Sequence, residues 1–451
     1  MKKFKILSIL PAFLLLGLGA VFSNNFTNNN RVEPVFAEEE PVIPADDGEQ
    51  TLQCVVTVDK YINRSTEKVE TLATYNIYPN TDYTALNNAL KANYALINNK
   101  EHYSLTTISF KDNCNPDLTL LKTEALVIEL NGYAWRLPST RSWYITHDFT
   151  IKGGSPDHMG LIGASKNGGS GIFYVDHVAI KVKVENTIFA DFKTGRYPVF
   201  EIVSAIVPDT VHENVKLRTT CDFTHCRFDY CSSSRYGGCL YAYRTDYIKF
   251  NNCEFKACSS KYGGALYFED LENGQNINFN VNVFTNLKVD SVEADYGGFL
   301  YIDKNSSASK EYDIIIRFAG NCVAEYCRAR YDGAFAYIDA PYINIGCHIG
   351  GSIKASGRAD RYGGGIYINR NNVSLYDVEL YDCIARYGGG LYINGKNAYL
   401  SQLKFRYCTA TKKGDAIYSE YPYKKYGLLT YLDENEQPIN EDYAVDLAYD
   451  E

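Results

Sequence analysis

Residues 361–394 read RYGGGIYINRNNVSLYDVELYDCIARYGGGLYIN, and the stretch opens and closes on nearly the same eight residues. Arg361-Tyr362-Gly363-Gly364-Gly365-Ile366-Tyr367-Ile368 returns as Arg386-Tyr387-Gly388-Gly389-Gly390-Leu391-Tyr392-Ile393, 25 residues later. The phrase recurs upstream at Arg235-Tyr236-Gly237-Gly238, Lys261-Tyr262-Gly263-Gly264 and Asp295-Tyr296-Gly297-Gly298. Degraded copies begin at Arg330-Tyr331-Asp332-Gly333 and Lys412-Lys413-Gly414-Asp415, which makes seven. A period of this length marks a unit that buries its apolar face only against its neighbours.

Within each copy, Gly-Gly signals a turn and a close approach of backbones. The run that follows alternates. Leu240, Leu266, Leu300, Ile366, Leu391 and Ile417 hold one position, and Ala242, Phe268, Ile302, Ile368, Ile393 and Ser419 hold the position two residues on. On a strand both sets face the same way. The residue between them is always tyrosine (Tyr241, Tyr267, Tyr301, Tyr367, Tyr392, Tyr418) and is expected to point outward.

A second pattern follows: Phe223-x-x-Cys226-x-Phe228-x-x-Cys231, repeated from Phe250 to Cys258, Phe279 to Leu287, Leu375 to Cys383 and Leu400 to Cys408. The copy from Phe318 to Cys327 holds one extra residue, which predicts a bulge. Only short strands fit between these turns. The expected fold is therefore all-β, a right-handed parallel β-helix solenoid with an N-terminal α/β cap, in which equivalent residues stack about 4.8 Å apart. Propeller blades need about 40 residues per repeat, and the leucine-rich consensus is missing.

Along the chain, residues 1–37 read as a secretory signal peptide: Lys2, Lys3 and Lys5, an apolar run from Ile6 to Phe22, and Val35-Phe36-Ala37 as a cleavage site. Removing them makes the rest more acidic than the −9 of the whole chain, which argues against nucleic acid and anionic membranes as partners. Residues 38–50 form an acidic linker. Residues 51–124 are a cap region with one amphipathic helix, Tyr83 to Asn98, placed to cover an exposed sheet edge. The solenoid spans 125–420, and 421–451 is an acidic tail or cap without an apolar anchor or barrel-strand pattern. Stable membrane insertion after signal cleavage is not expected, and the expected setting is secreted or at a bacterial cell surface.

Gly263-Gly264-Ala265-Leu266, together with Phe279-x-x-Asn282 and Phe318-x-x-Asn321, resembles the paired GGA[ILV] and FxxN tetrapeptides of the chlamydial polymorphic outer-membrane proteins. The resemblance covers about 218–420. It implies a β-helix of the wider pectin-lyase-like class and an adhesive surface role, while that class hosts many functions.

Four constellations bear on function. The thirteen cysteines fall largely on inward positions, so Cys226 stacks near Cys253, Cys231 near Cys258 and Cys383 near Cys408, either as a ladder of small apolar side chains or as disulfides between coils. Cys221, His225 and Cys226 do not make a metal site, because alternation puts His225 and Cys226 on opposite faces. Tyr241, Tyr267, Tyr301, Tyr367 and Tyr392, beside the turn tyrosines and flanked by Arg235, Lys261, Arg361 and Arg386, form a candidate strip for sugar rings or an acidic polymer. Finally, Glu269, Asp303 and Asp339 follow the Gly-Gly strands in successive copies, with Asn369 and Asn394 continuing the line. This row is either a turn ladder or, in a polysaccharide lyase or glycosidase of this fold, a catalytic row able to hold Ca²⁺. The expected function is non-catalytic binding to a glycan or host surface, without a cofactor.

Overall fold

We describe a computed structural model of the chain, covering residues 51–62, 67–97, 102–116, 118, 125–137, 143–164, 173–176, 180–203, 219–245, 247–270, 281–304, 314–347 and 350–448. The expected signal peptide and linker lie outside these residues. The protein is nearly all β, built on three long sheets whose strands pair in parallel apart from an antiparallel start. Each pass of the chain supplies one strand to the first sheet, one or two to the second and one to the third, then returns to the first. Thr220–Thr224, Arg227–Asp229 and Leu240–Tyr243 are followed by Tyr247–Asn251, Glu254–Lys256 and Leu266–Glu269 in the same three sheets.

Register follows the repeat with one correction: the copy expected from Phe279 to Leu287 begins five residues later, because Phe250 pairs with Phe284 and Phe255 with Val289. Phe223 pairs with Phe250, Phe228 with Phe255, and Leu240 with Leu266. The third sheet continues without a shift through Leu300, Ala336, Ile366, Leu391 and Ile417, all with no exposed surface. Equivalent phenylalanines stack inside. Phe223 and Phe250 have ring centroids 4.8 Å apart, and the column continues through Phe284 and Phe318.

Left-handed backbone residues turn each pass, and the Gly-Gly pair is one of the crowded bends. Gly263 has φ +63°, and a Cβ on Gly264 would lie 2.0 Å from the Gly298 carbonyl oxygen of the next pass. The extra residue expected between Phe318 and Cys327 is taken up at Gly320 (φ +62°): the ladder runs through Phe284–Phe318 and resumes at Lys288–Val323.

At the N-terminal end, Cys54–Ile62 pairs antiparallel with both Lys68–Ile77 and His102–Phe110, and the last of these starts the parallel ladder by pairing with Ala125–Glu129. The helix Tyr83–Ile97 buries Leu86 and Leu90. Strand pairing continues past residue 420. Lys424–Lys425, Thr430–Leu432 and Val445–Leu447 each extend one of the three sheets, and Tyr431 stacks on Phe405. Among the described residues no helix is long and apolar enough to cross a membrane.

Candidate functional site

The tyrosines between the two aliphatic ladders leave the main core, as alternation requires, but they are not exposed. Tyr241, Tyr267, Tyr301, Tyr367 and Tyr392 retain only 3–8 % of their surface and form a second apolar cluster of their own. The expectation of an open aromatic strip is therefore corrected. The turn tyrosines lie over these rings, with Tyr236 4.7 Å from Tyr267 and Tyr362 4.5 Å from Tyr392, so only the outer layer meets solvent.

The inner rings make one continuous column. From Tyr241 to Tyr267, Tyr301, Tyr337, Tyr367, Tyr392 and Tyr418, successive centroids lie 4.7–5.6 Å apart with planes within 24° of parallel. Each such contact contributes on the order of 0.5–1.5 kcal/mol beyond area burial. Tyr337 belongs to this column although its turn lacks the second glycine. The sequence signal for it was the unbroken Ala336–Ile338 alternation.

The carboxylate row runs along the rim of the column in the expected order, with Glu269 beside Asp303 and Asp303 beside Asp339. Its oxygens are engaged by the tyrosines. The Tyr241 hydroxyl donates to Glu269 of the next pass at 2.8 Å, Tyr267 to Asp303 at 2.7 Å and Tyr301 to Asp339 at 3.4 Å, while Tyr392 closes on Glu420. Asp339 also accepts from Asn369 (2.9 Å) and from Arg370 (2.6 Å), and Asn394 donates to Asn369 at 3.0 Å. Burial first, and then the adjoining carboxylates, push the Tyr241, Tyr267 and Tyr301 phenols far above their ordinary range. A carboxylate tied to a neutral phenol in this way is a register clamp between passes. Among the described residues no group of three or more His, Cys, Asp or Glu side chains is placed to hold a metal ion.

The turn ladder slips once. Tyr236 pairs with Tyr262 and Tyr262 with Tyr296, but Tyr296 pairs with Asp332 rather than Tyr331. Asp332 is buried in a tyrosine position and accepts from Nη2 and Nε of the Arg361 guanidinium, at 2.6 and 3.2 Å. Tyr331 takes the outer position and receives Arg361 over its ring at 4.6 Å.

The basic residues remain at the surface. Arg235 lies 4.9 Å over Tyr236, Lys261 5.3 Å over Tyr262 and Arg386 5.9 Å over Tyr387. Arg361 is half-buried and committed to Asp332. The second sheet adds two cations that sequence spacing alone did not bring together: Arg328 and Arg358 are direct register partners on adjacent passes, both exposed, with Glu293 the partner of Arg328 on the preceding pass. Like charges at neighbouring sheet positions repel. Among the described residues no ion pair engages Arg328, Arg358 or Arg386, and Arg330 lies nearby, 4.0 Å from Asp295.

The cysteines behave as small buried donors. Cys226 donates to the Val184 carbonyl, Cys253 to Phe223, Cys383 to Ala355 and Cys408 to Leu380, each reaching back one pass. His225 sits on a left-handed bend (φ +51°) and its ring meets Asn252 at 3.2 Å, away from Cys226 in the core. No protein-family model, curated protein or solved structure matches this chain.

Proposed function

We propose that the protein is a non-catalytic binding protein, a right-handed parallel β-helix that holds an acidic glycan along the basic rungs of its second sheet. The β-helix reading is supported by the fixed order in which successive passes visit the three parallel sheets. The apolar N-terminal stretch read as a signal peptide supports an extracellular or cell-surface setting.

The observation that carries the binding reading is the pair Arg328 and Arg358. They hold two exposed like charges on adjacent rungs, only one of them beside a carboxylate (Glu293 next to Arg328), with Arg330 further along the same strand and Arg386 in the strand of the following pass, in a chain whose net charge is −9. Such an arrangement costs energy in the free protein and is relieved by a polyanion lying across the rungs. The engagement of Glu269, Asp303 and Asp339 by hydroxyl and guanidinium groups weighs against a polysaccharide lyase or glycosidase, because acid–base work requires carboxyl groups that meet substrate.

Co-sedimentation of the purified protein with sulfated, uronate and neutral polysaccharides tests this. Binding is expected for the acidic polymers alone, falling with salt as screening predicts. The triple substitution Arg328→Gln/Arg358→Gln/Arg386→Gln should weaken it at least tenfold. Equal binding to neutral polymer, unchanged binding by the triple variant, or release of shortened chains would each overturn the proposal.

A further inference from the structure

Most cysteines here occupy two recurring positions in a pass and turn their thiols to a backbone carbonyl. Cys239 does not. It is the residue after Gly237-Gly238, a place taken by Ala265 in the next pass, and its backbone N–H donates to the Ala265 carbonyl at 2.9 Å. From there its side chain reaches to the bend of the second sheet and meets Cys258 with 3.3 Å between the two sulfurs. Cys231 stands one pass before Cys258 at the equivalent position, its own thiol turned to the Phe189 and Asp229 carbonyls. All three are wholly buried.

We propose that Cys239 and Cys258 form a disulfide, with Cys231 remaining a thiol beside it. The inference is independent of glycan binding. Cys231 and Cys258 rise from the same position on adjacent passes, and both donate back to a carbonyl of the preceding pass, Phe189 at 3.5 Å and Phe228 at 3.3 Å. They run side by side. Cys239 approaches from the third sheet, so its sulfur faces that of Cys258. Closing the bond to the usual length of about 2.05 Å asks for a movement of roughly 1.3 Å, within the reach of side-chain rotation.

The oxidant is an external disulfide, R–S–S–R, such as oxidised glutathione. One thiol loses its proton and attacks the external disulfide, giving a mixed disulfide and R–S⁻. The second thiol loses its proton and displaces another R–S⁻ as the protein disulfide forms. Two electrons pass to the oxidant, and the two protons end on the two R–SH. Because the sulfurs are sealed in the folded protein, the exchange belongs to folding.

The test refolds the full chain in a glutathione redox buffer, with a natively purified sample oxidised in parallel. Acid quenching, alkylation under denaturing conditions and non-reducing peptide mapping follow. The expected product is a linked peptide joining Cys239 to Cys258, with Cys231 alkylated and the intact mass lower by about 2 Da, two hydrogens. Cys239→Ala, which installs the alanine found in the next pass, should fold and show no link. Reductant should lower the unfolding midpoint of the parent chain and leave that of Cys239→Ala unmoved. Alkyl label on both Cys239 and Cys258 in the refolded, folded protein, or a link from Cys231 to either, would overturn the assignment.

Discussion

Tyr301 and Tyr337 lie face to face, their ring centroids 4.8 Å apart and their planes 5° from parallel, although only Tyr301 follows a Gly-Gly pair. Sheet register places the second ring against the first, since Tyr301 and Tyr337 are strand partners. Tyr337→Ala leaves a ring-sized gap between passes and is expected to cost about 3–5 kcal/mol of unfolding free energy. Tyr337→Phe keeps the ring and should cost far less. Denaturant midpoints for the two variants check this, and a loss under about 1 kcal/mol for the alanine would deny the column a structural role.

The hydroxyl clamps can be weighed separately. Tyr267 donates to Asp303, which is only 9 % exposed, at 2.7 Å. Tyr267→Phe keeps the stack and removes the donor to a largely buried carboxylate, so a loss of about 1.5–3 kcal/mol is expected. Equal stability of variant and parent in equilibrium unfolding would mean that water replaces the hydroxyl.

Alkaline pH should unfold the protein through these same phenols. Burial raises the folded-state values of Tyr241, Tyr267, Tyr301, Tyr337, Tyr367 and Tyr392 above the ordinary tyrosine value. Below about pH 10 both folded and unfolded chains keep these protons, and stability does not depend on them. Above it the unfolded chain releases protons that the folded chain holds, so stability falls as pH rises, by up to about 1.4 kcal/mol per pH unit for each tyrosine. Unfolding midpoints measured between pH 9 and 11.5, with phenolate absorbance followed in the same samples, should fall together with the appearance of phenolate. A flat stability profile would contradict the burial.

Glycine positions separate backbone crowding from open space. A Cβ at Gly264 meets backbone oxygens of Gly298 at 2.0 Å and Glu293 at 2.7 Å, while nothing lies within 4 Å of one at Gly195. Gly264→Ala should therefore destabilise by about 1–3 kcal/mol or more, and Gly195→Ala should be neutral or slightly stabilising. Thermal unfolding of the pair is sufficient, and similar midpoints for both variants would refute the close approach of the turns.

Arg358→Glu offers a variant that moves stability and binding in opposite directions. Opposite Arg328 it converts a repulsive pair into an attractive one, worth roughly 0.2–1 kcal/mol in favour of the fold. The same change should weaken acidic-glycan binding several-fold. A variant that binds as tightly as the parent would remove this pair from the proposed site.

The period and the two aliphatic ladders were legible because alternation along a strand states which side chains share a face. Alternation does not state what covers the other face. Tyr267 was correctly separated from the core, yet its burial depends on Tyr236, Tyr262 and Asp303, and two of these come from other passes. The slip at Asp332 was hidden for a related reason: with only Gly333 to mark the turn, Tyr331 looked like the equivalent of Tyr296, and only the pairing of Tyr296 with Asp332 reveals the offset. Arg328 and Arg358 are 30 residues apart across a pass of altered length, so their adjacency rests on register that no local motif records.

The unshifted third sheet has a consequence for how such a chain changes length. Residues 361–385 begin one turn and stop just before its near-copy at Arg386, so excising them joins Asp360 to an almost identical phrase and sets Leu391-Tyr392-Ile393 of the third sheet beside Ala336-Tyr337-Ile338, an aliphatic–tyrosine–aliphatic neighbour like the one lost. Size is then a digital quantity. Reach is gained or lost in whole steps of about 4.8 Å, one pass at a time, while both ends of the molecule keep the structures that finish them.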